Sequence, residues 1–281
     1  MVRGGLSHAL VAHSPHAVFA VVLCLVRCDL AGQMVAFSAG RAGFDGRAPG
    51  AGAKLVFNRI NACAREGQVH LRLRIGRRIC TVAMRQGDRE DFLIGGELVK
   101  RAYAPPPFTP RQIVDGGANI GLFAIYASAL FPEAKLVCYE PDEKNLAQLR
   151  YNLAINQIAA EVQPVGLWSR ETTLYYHPVV SCGGYIDETP PGIPIPCVVP
   201  QIGPDCWLKL DIESSEYEVL PRLLADGAYP RWISMELHAF AERGPELLRL
   251  LEAHGYRVRG DVSPELWLTT IEAWREPSDG P

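Results

Sequence analysis

A chain of 281 residues is long enough for one large domain, or for a domain with an extension, and it can bury a sizeable core. The hydrophobic content of 48% and the charged content of 21% are typical of a globular protein. A net charge of −3 excludes a general polyanion-binding surface.

The charge is unevenly distributed along the chain. Residues 1–114 contain 16 Lys or Arg and 7 Asp or Glu, whereas residues 115–281 contain 12 and 24. The arginines at 72, 74, 77 and 78 could face an anionic substrate or an acidic lipid. We favour a basic leader that packs beside an acidic core, because Arg72 and Arg74 alternate along a predicted strand and would lie on its solvated face.

The first 65 residues are predicted to form a poorly specified extension. Their apolar run Ala17–Val26 is ten residues long, which is too short to span a bilayer and makes a poor signal peptide. None of the eight cysteines forms C-x-x-C or a zinc pattern. A reduced, cytoplasmic chain without membrane association is therefore expected, and the oligomeric state stays open.

Residues 66–110 are predicted to form a small leader before the core. Val69–Arg74 alternates with a period of two, Gly76 turns the chain, and Arg78–Ala83 returns, which predicts a β-hairpin. A short helix is predicted over Leu93–Tyr103. The proline-rich segment 104–110 then ends it and links it to the core.

Residues 111–275 alternate between predicted strands and helices. Strands are predicted at Gln112–Asp115, Leu136–Glu140, Val162–Leu167, Trp207–Asp211 and Trp232–Leu237. Helices are predicted at Ile120–Phe131, from Pro141 onwards and from Gly244 onwards, and Tyr256–Arg259 and Leu266–Ile271 are predicted to close the sheet as an antiparallel pair. This alternation predicts an α/β fold with an open, mostly parallel sheet and helices on both faces.

The segment 177–206 breaks the alternation with seven prolines in thirty residues. A stretch of this length without a clear element indicates either a lid or binding loop, or a plain irregular crossover. We favour the lid, because the segment ends close to Asp211.

The most informative motif is the turn Asp115-Gly-Gly-Ala-Asn-Ile-Gly121, which follows a predicted strand and is followed by Glu140 at the end of the next strand. Such a pair holds a nucleoside cofactor at the carboxyl ends of parallel strands. The glycines fall as G-G-x-x-x-G and not as the pyrophosphate pattern G-x-G-x-x-G. Because Asp115 would repel a pyrophosphate, the cationic cofactor S-adenosylmethionine fits better.

Three motifs resemble the FkbM-type methyltransferases over residues 68–240. They are Asp-Gly-Gly-Ala-Asn-Ile-Gly (115–121), Tyr-Glu-Pro-Asp (139–142) with Asn152 and Asn156 beyond it, and Lys-Leu-Asp-Ile-Glu-Ser-Ser-Glu (209–216). The segment Arg85–Asp91 is similar to that family's leader. The chain departs from the family at Ser214, where glycine is usual. The resemblance implies a Rossmann-like class I methyltransferase sheet and O-methylation of a small-molecule or glycan hydroxyl, with no nucleic-acid partner.

The cofactor-binding roles can be divided among six residues. Gly117, Asn119 and Gly121 would shape the wall beside the methionine part, and Asp115 would meet the amino group directly or through water. Glu140 would hold the ribose diol. Trp168 could stack on adenine, although a core role is the commoner one for a tryptophan.

The catalytic candidates are Asp211, Glu213 and His238, since an alcohol acceptor must lose its proton to a base. His238 has the most suitable ordinary pKa, but it could equally be a structural residue. Ser215 and Glu218 match a capping box for the next helix. These carboxylates and the histidine could instead bind a divalent metal, but they show no defined ligand spacing, so no metal site is predicted.

Two other functions remain as alternatives. One is a nicotinamide-dependent oxidoreductase, against which the glycine spacing and Asp115 argue. The other is a non-catalytic protein that keeps the cofactor fold for partner binding, which Ser214 would suit.

Overall fold

The computed structural model describes residues 62–65, 67–88, 91, 103–179, 183–203 and 205–276. The apolar run Ala17–Val26 lies outside the described residues, and so does the predicted helix Leu93–Tyr103 except for Tyr103. No helix in the described ranges is both long and apolar enough to cross a bilayer. The predicted boundaries at 65 and 110 remain predictions.

A seven-stranded sheet forms the centre of the molecule. Its strands are β4 (Gln112–Gly116), β5 (Lys135–Tyr139), β6 (Glu161–Gln163), β11 (Cys206–Leu210), β12 (Trp232–His238), β13 (Arg257–Gly260) and β14 (Leu268–Trp274). They lie side by side in the order β13-β14-β12-β11-β4-β5-β6. The first five strands along the chain are parallel, and β14 runs antiparallel to both of its neighbours.

The predicted fold class is therefore confirmed as an α/β fold with a Rossmann-like, mostly parallel sheet and an antiparallel pair at its C-terminal end. One predicted strand is wrong, because Val162–Leu167 divides in two. Its first part belongs to β6, while Gly166–Leu167 forms β7 of a separate sheet. Pro164 lies between the two parts and cannot donate to a strand ladder.

Four helices within the described residues cover the two faces of the sheet. They are α1 (Leu122–Leu130), α2 (Glu143–Ile155), α3 (Glu216–Ala225) and α4 (Phe240–Ala253). The prediction that Gly244-Pro245 opens the last helix is wrong, since α4 begins four residues earlier. Trp267 and Leu266 supply the carbonyls that receive the amides of Phe240 and Ala241, so tertiary bonds set this start.

The leader hairpin is confirmed. β2 (Gln68–Ile75) pairs with β3 (Arg78–Arg85), and β1 (Ala62–Arg65) adds a third strand. Asn152 of α2 and Asn156, which follows the helix directly, attach this sheet to the core. Asn152 accepts from the Ala83 amide at 2.8 Å, and Asn156 accepts from the Thr81 amide at 2.8 Å.

The segment 177–206 is more regular than predicted. Its strands β9 (Tyr185–Asp187) and β10 (Ile193–Val198) join β7 and β8 (Thr172–His177) in a sheet of order β7-β10-β8-β9. The prolines at 194 and 196 lie within β10, opposite Tyr175 and Thr173 of β8. The expectation of a segment without elements is therefore wrong.

Two apolar cores lie on opposite faces of the central sheet. One joins the hairpin to α1 around Trp207, and the other joins α3 and α4 to the sheet around Leu208. Strand order reverses between β4 and β11, since β5 follows β4 on one side and β11 lies on the other. Ligands bind beyond the carboxyl ends of the strands at such a point.

Candidate functional site

A cavity of about 410 Å³ opens at the reversal point of the sheet. Its size lies within the usual range for small-molecule sites. Charged residues from three places in the chain line it: Glu140, Lys209, Asp211, Glu213 and Glu236. Apolar and aromatic side chains form much of the remaining wall, among them Tyr103, Leu122, Phe123, Tyr139, Leu167, Tyr176 and Ile186.

The glycine turn, residues 116–121, forms one side of this cavity. Gly117 has a φ of +71°, and a side chain at this position would overlap the carbonyl oxygen of Asp211. The Gly117 and Ala118 amides both donate to the Tyr139 carbonyl, and the Gly121 amide donates to the Ala118 carbonyl. The Asn119 amide donates to Glu140, and the Ile120 amide donates to Asn119 Oδ1 at 2.7 Å. Every amide from 117 to 121 thus already has a partner within the protein.

Glu140 lies directly after β5 and is only 4% exposed. Its Oε2 accepts from the Asn119 amide at 2.7 Å, and its Oε1 accepts from the Asp142 amide at 2.9 Å. Burial raises the pKa of Glu140 to about 7, although the two amides counteract this shift. Each carboxylate oxygen retains a second acceptor position, so the pair can still accept from two hydroxyl groups in the cavity.

Asp115 lies behind the cavity wall. It is fully buried, and its Oδ1 lies 3.3 Å from the ammonium nitrogen of Lys209. Lys209 also donates to the carbonyls of Gly116 and Gly117, at 3.0 and 2.7 Å. Burial would lower the pKa of Lys209, but Asp115 and Asp211 outweigh burial and raise it. Asp115 therefore anchors the lysine that holds the turn, and the structure does not bring it to the predicted ligand contact.

Of the six predicted cofactor residues, the structure brings Gly117, Asn119 and Glu140 to the cavity. Gly121 instead begins α1 in a left-handed conformation against Leu149. Trp168 packs on the apolar cluster of the small sheet, beside Ile195 and Cys197. The geometry thus favours the core role of Trp168 over adenine stacking.

The three predicted catalytic residues do come together, in what we term the carboxylate–histidine cluster: Asp211, Glu213 and His238. One ligand atom from each lies within 4.8 Å of the others. His238 Nε2 is 3.1 Å from Glu213 Oε2, and the His238 ring packs edge-on against Trp267. Burial and the charge on Asp211 raise the pKa of Glu213 to about 7, whereas burial lowers the pKa of His238.

The loop between β11 and α3 carries this cluster, and it differs from the predicted capping box. Ser215 occupies the N-cap position, but its side chain makes no capping bond. Instead the buried Glu216 accepts from the Ile212 amide at 2.7 Å. Glu213 lies beyond the end of β11 and therefore on the loop.

Backbone strain is concentrated around the site. Among the described residues, six non-glycine residues have a positive φ, and four of them flank the cavity or the cluster: Asn119, Glu213, Ser214 and Ala239. Residues in this region persist only where the surrounding contacts hold them, and they gather at functional sites. Ser214 adopts a φ of 79°, which is the conformation that the family's usual glycine would take without strain.

Two curated proteins are similar in sequence to part of the chain. The methyltransferase sdnD of Sordaria araneosa is 42% identical over 64 residues, which are 22% of this chain and 25% of that protein. The AMB antimetabolite synthetase AmbE of Pseudomonas aeruginosa is 37% identical over 78 residues, which are 27% of this chain and 4% of that protein. The chain thus spans at most a quarter of the length of these relatives.

Among solved structures, the methyltransferase FkbM of Methylobacillus flagellatus is similar, with a TM-score of 0.41 and 19% identity. The match covers 59% of this chain and 44% of that one. No family model matches the chain. The resemblance to methyltransferases that the motifs indicated therefore recurs in the curated relative sdnD.

Sequence reasoning missed the aromatic side of the cavity. Tyr103 was expected only as the end of a helix, yet its hydroxyl donates to Asp211 Oδ2 at 3.0 Å. Tyr176, within the small sheet, donates to Asp142 Oδ2 at 3.4 Å and lines the cavity. Nothing in the local pattern around either tyrosine signals such a contact, because both depend on how separate segments pack.

Proposed function

We propose that this chain is an S-adenosylmethionine-dependent methyltransferase that methylates a hydroxyl oxygen of a small molecule or glycan. One observation carries the proposal. The glycine turn has no unpartnered amide from 117 to 121, while the acceptor oxygens of Glu140 face the same cavity. This combination suits a ligand that brings hydroxyl donors and positive charge.

The same observation argues against a nicotinamide cofactor. A pyrophosphate needs backbone amides that are free to donate, as in the G-x-G-x-x-G turn. Here the carboxylate of Glu140 takes the Asn119 amide and would repel a phosphate group at that position. The oxidoreductase alternative therefore loses its physical basis.

The residues of the cavity can be assigned to parts of the cofactor. Glu140 would accept from the ribose hydroxyls, and the apolar walls would enclose the adenine. Asp211, Glu213 and Glu236 give the opposite side a negative charge that favours the sulfonium and amino groups. When bound, S-adenosylmethionine supplies a methyl group on a positively charged sulfur, so that orientation of the acceptor provides much of the rate.

We assign the binding of the acceptor hydroxyl to the carboxylate–histidine cluster. As the carbon–oxygen bond forms, the hydroxyl must lose its proton, and Glu213 and His238 lie next to each other where that proton can be accepted. The acids on this side of the cavity would repel a phosphate backbone, which supports an acceptor other than nucleic acid. The methyltransferase sdnD, which shares 42% identity over 64 residues, supports the reaction class.

The cofactor assignment is tested by calorimetry on the full chain with S-adenosylhomocysteine and, separately, with NAD. We expect saturable binding of S-adenosylhomocysteine and no detectable binding of NAD. Binding of NAD alone would refute the assignment. Tight binding of S-adenosylhomocysteine with no methylation across a broad panel of hydroxyl acceptors would favour the non-catalytic alternative.

The role of the cluster is tested with His238→Ala once an acceptor is known. Loss of a proton-accepting group costs about 10²–10⁴-fold in turnover. Because His238 is not among the described residues that line the cavity, we expect the affinity for S-adenosylhomocysteine to be unchanged. An unaltered turnover would make His238 a structural residue.

A further inference from the structure

We propose that Trp267 binds a ring of the methyl acceptor and so helps to select an uncharged alcohol built on a ring. The inference rests on the proposed function for its role, but contact between Trp267 and a ring compound can be tested without it. Trp267 is 66% exposed, which is the highest value among the large hydrophobic side chains of the described residues. An indole offers a wide apolar surface and loses little conformational freedom when a ligand packs on it.

Trp267 lies beside the carboxylate–histidine cluster. Its indole packs edge-on against the His238 ring, with the ring centroids 5.6 Å apart. His238 Nε2 lies 3.1 Å from Glu213 Oε2, and Glu213 lines the cavity. A single side chain, that of His238, thus connects the indole with a residue of the cavity wall. An acceptor whose hydroxyl reaches the cluster would bring the rest of its structure within reach of Trp267.

The backbone holds Trp267 in place although its ring is exposed. The Trp267 carbonyl accepts from the Phe240 amide, the first of α4, at 3.0 Å. The next residue, Leu268, begins β14 and pairs with His238 of β12. The backbone that carries the indole is therefore fixed before a ligand arrives, which lowers the free energy cost of ordering the site on binding.

The exposed apolar residues near the cluster are more than a single surface side chain. One exposed hydrophobic residue is common on protein surfaces and carries no meaning by itself. Of the nine large hydrophobic side chains that are exposed in the described part of the chain, three lie within residues 262–268: Val262, Trp267 and Leu268. Exposed apolar surface next to a group of convergent polar side chains is typical of a ligand-binding site.

The charge of this side of the cavity limits the acceptor further. The carboxyl groups of Asp211, Glu213 and Glu236 line it and would repel an anionic acceptor. The indole of Trp267 favours a ring with an apolar face. A phenol and the apolar face of a sugar share this chemistry. The expected acceptor is therefore an uncharged ring compound that carries the reacting hydroxyl.

The contact is tested by fluorine magnetic resonance on the full chain labelled with 5-fluorotryptophan. The sequence contains five tryptophans, so the signal of Trp267 is identified as the one missing from Trp267→Phe. Phenol and methyl β-glucopyranoside serve as ring probes, and glycerol serves as an alcohol without a ring. We expect at least one ring probe to shift the Trp267 signal in a saturable way, and glycerol to leave it in place.

A second measurement compares the affinities of variants for the ring probe, followed by saturation transfer to the probe's own protons. Trp267→Ala should bind the probe about 2- to 10-fold more weakly, because an aromatic stacking contact is lost, and Trp267→Phe should retain part of the affinity. The matched control is Tyr229→Ala, which removes an exposed aromatic side chain close to the opposite, amino end of β12. This control should bind the probe like the unaltered chain.

The outcomes distinguish the two kinds of ring and the two proposals. A response to phenol alone would indicate an aromatic acceptor, and a response to the glucopyranoside alone would indicate a sugar. No shift with either ring probe, an equal shift with glycerol, or equal affinities in Trp267→Ala and Tyr229→Ala would overturn the inference. All titrations are run with and without S-adenosylhomocysteine, whose own binding is measured by calorimetry. Failure of the proposed function then shows as absent cofactor binding, and failure of this inference shows as an unresponsive Trp267.

Discussion

The two sides of the cavity are built on different physical principles. The glycine turn is formed by consecutive residues, and its amides are bonded to nearby carbonyls and to Glu140. The carboxylate–histidine cluster combines the loop after β11 with the last residue of β12, since His238 lies 25 residues after Glu213, and it places two carboxylates side by side. The first side offers a preformed shape, whereas the second offers concentrated charge. A methyl transfer needs both, because the cofactor must be held still while the acceptor loses a proton.

The largest expected effect comes from removing the ammonium group of Lys209, which contacts both sides of the cavity. Lys209→Met leaves the fully buried Asp115 without its partner. Breaking a buried ion pair on one side costs about 3–5 kcal/mol in the free energy of unfolding. Urea denaturation measures this loss. The double variant Lys209→Met with Asp115→Asn should recover part of it, and an equal loss in both variants would show that the pair is not the cause.

The shape of the glycine turn is tested by Gly117→Ala. The added Cβ would overlap the backbone of Asp211, and the φ of +71° disfavours any side chain. We expect a loss of about 3 kcal/mol in the free energy of unfolding, which falls in the range for severe backbone or packing changes.

Gly227→Ala is the matched control for this substitution. Gly227 has nearly the same φ, +73°, but no atom lies within 4 Å of the added Cβ. Only the conformational cost of about 1–2 kcal/mol remains there. Equal losses at the two glycines would mean that the turn does not require close contact with Asp211.

Glu140→Ala tests the contribution of this carboxylate to cofactor binding. A hydrogen bond to a charged group contributes about 1–3 kcal/mol. We therefore expect the affinity for S-adenosylhomocysteine to fall by that amount in calorimetry. Unaltered affinity would remove Glu140 from the cofactor site.

The smallest effect is the dependence of cofactor affinity on pH. The pKa of Glu140 lies at about 7 in the ligand-free chain, and the ionised form is the one that accepts from two hydroxyls. Affinity should rise with pH up to about 7 and level off above it, with a slope of about ten-fold per unit below. Glu140→Gln should abolish the slope of a calorimetric series, and a persistent slope would point to another group such as Glu213.

Contiguous motifs were the predictable part of this molecule. The alternation of apolar runs and helical stripes predicted the central sheet, and the spacing of Gly117, Asn119 and Glu140 predicted one wall of the cavity. The hairpin was predictable for the same reason, since Val69–Arg74 alternates with a period of two. In each case the information lies within a few residues of the feature that it predicts.

Two predictions failed where a group has a partner that the expected pattern does not show. Pro245 suggested the start of a helix, but α4 begins earlier because Trp267 and Leu266 supply carbonyls to its first amides. Ser215 matched a capping box, but the neighbouring Glu216 accepts from the Ile212 amide instead. The role of Asp115 in binding a ligand stays a prediction, and its pairing with Lys209 from the neighbouring strand could not be seen in the local pattern.

The hydrogen bonds of Lys209 to the Gly116 and Gly117 carbonyls bear on the order in which ligands bind. The Asp211 amide also donates to the Gly116 carbonyl at 3.3 Å, so the loop after β11 and the turn after β4 are fastened together. Neither can shift alone. Under the proposed function, binding of the cofactor against the turn should therefore alter the loop that carries Asp211 and Glu213, which predicts ordered kinetics with the cofactor binding before the acceptor.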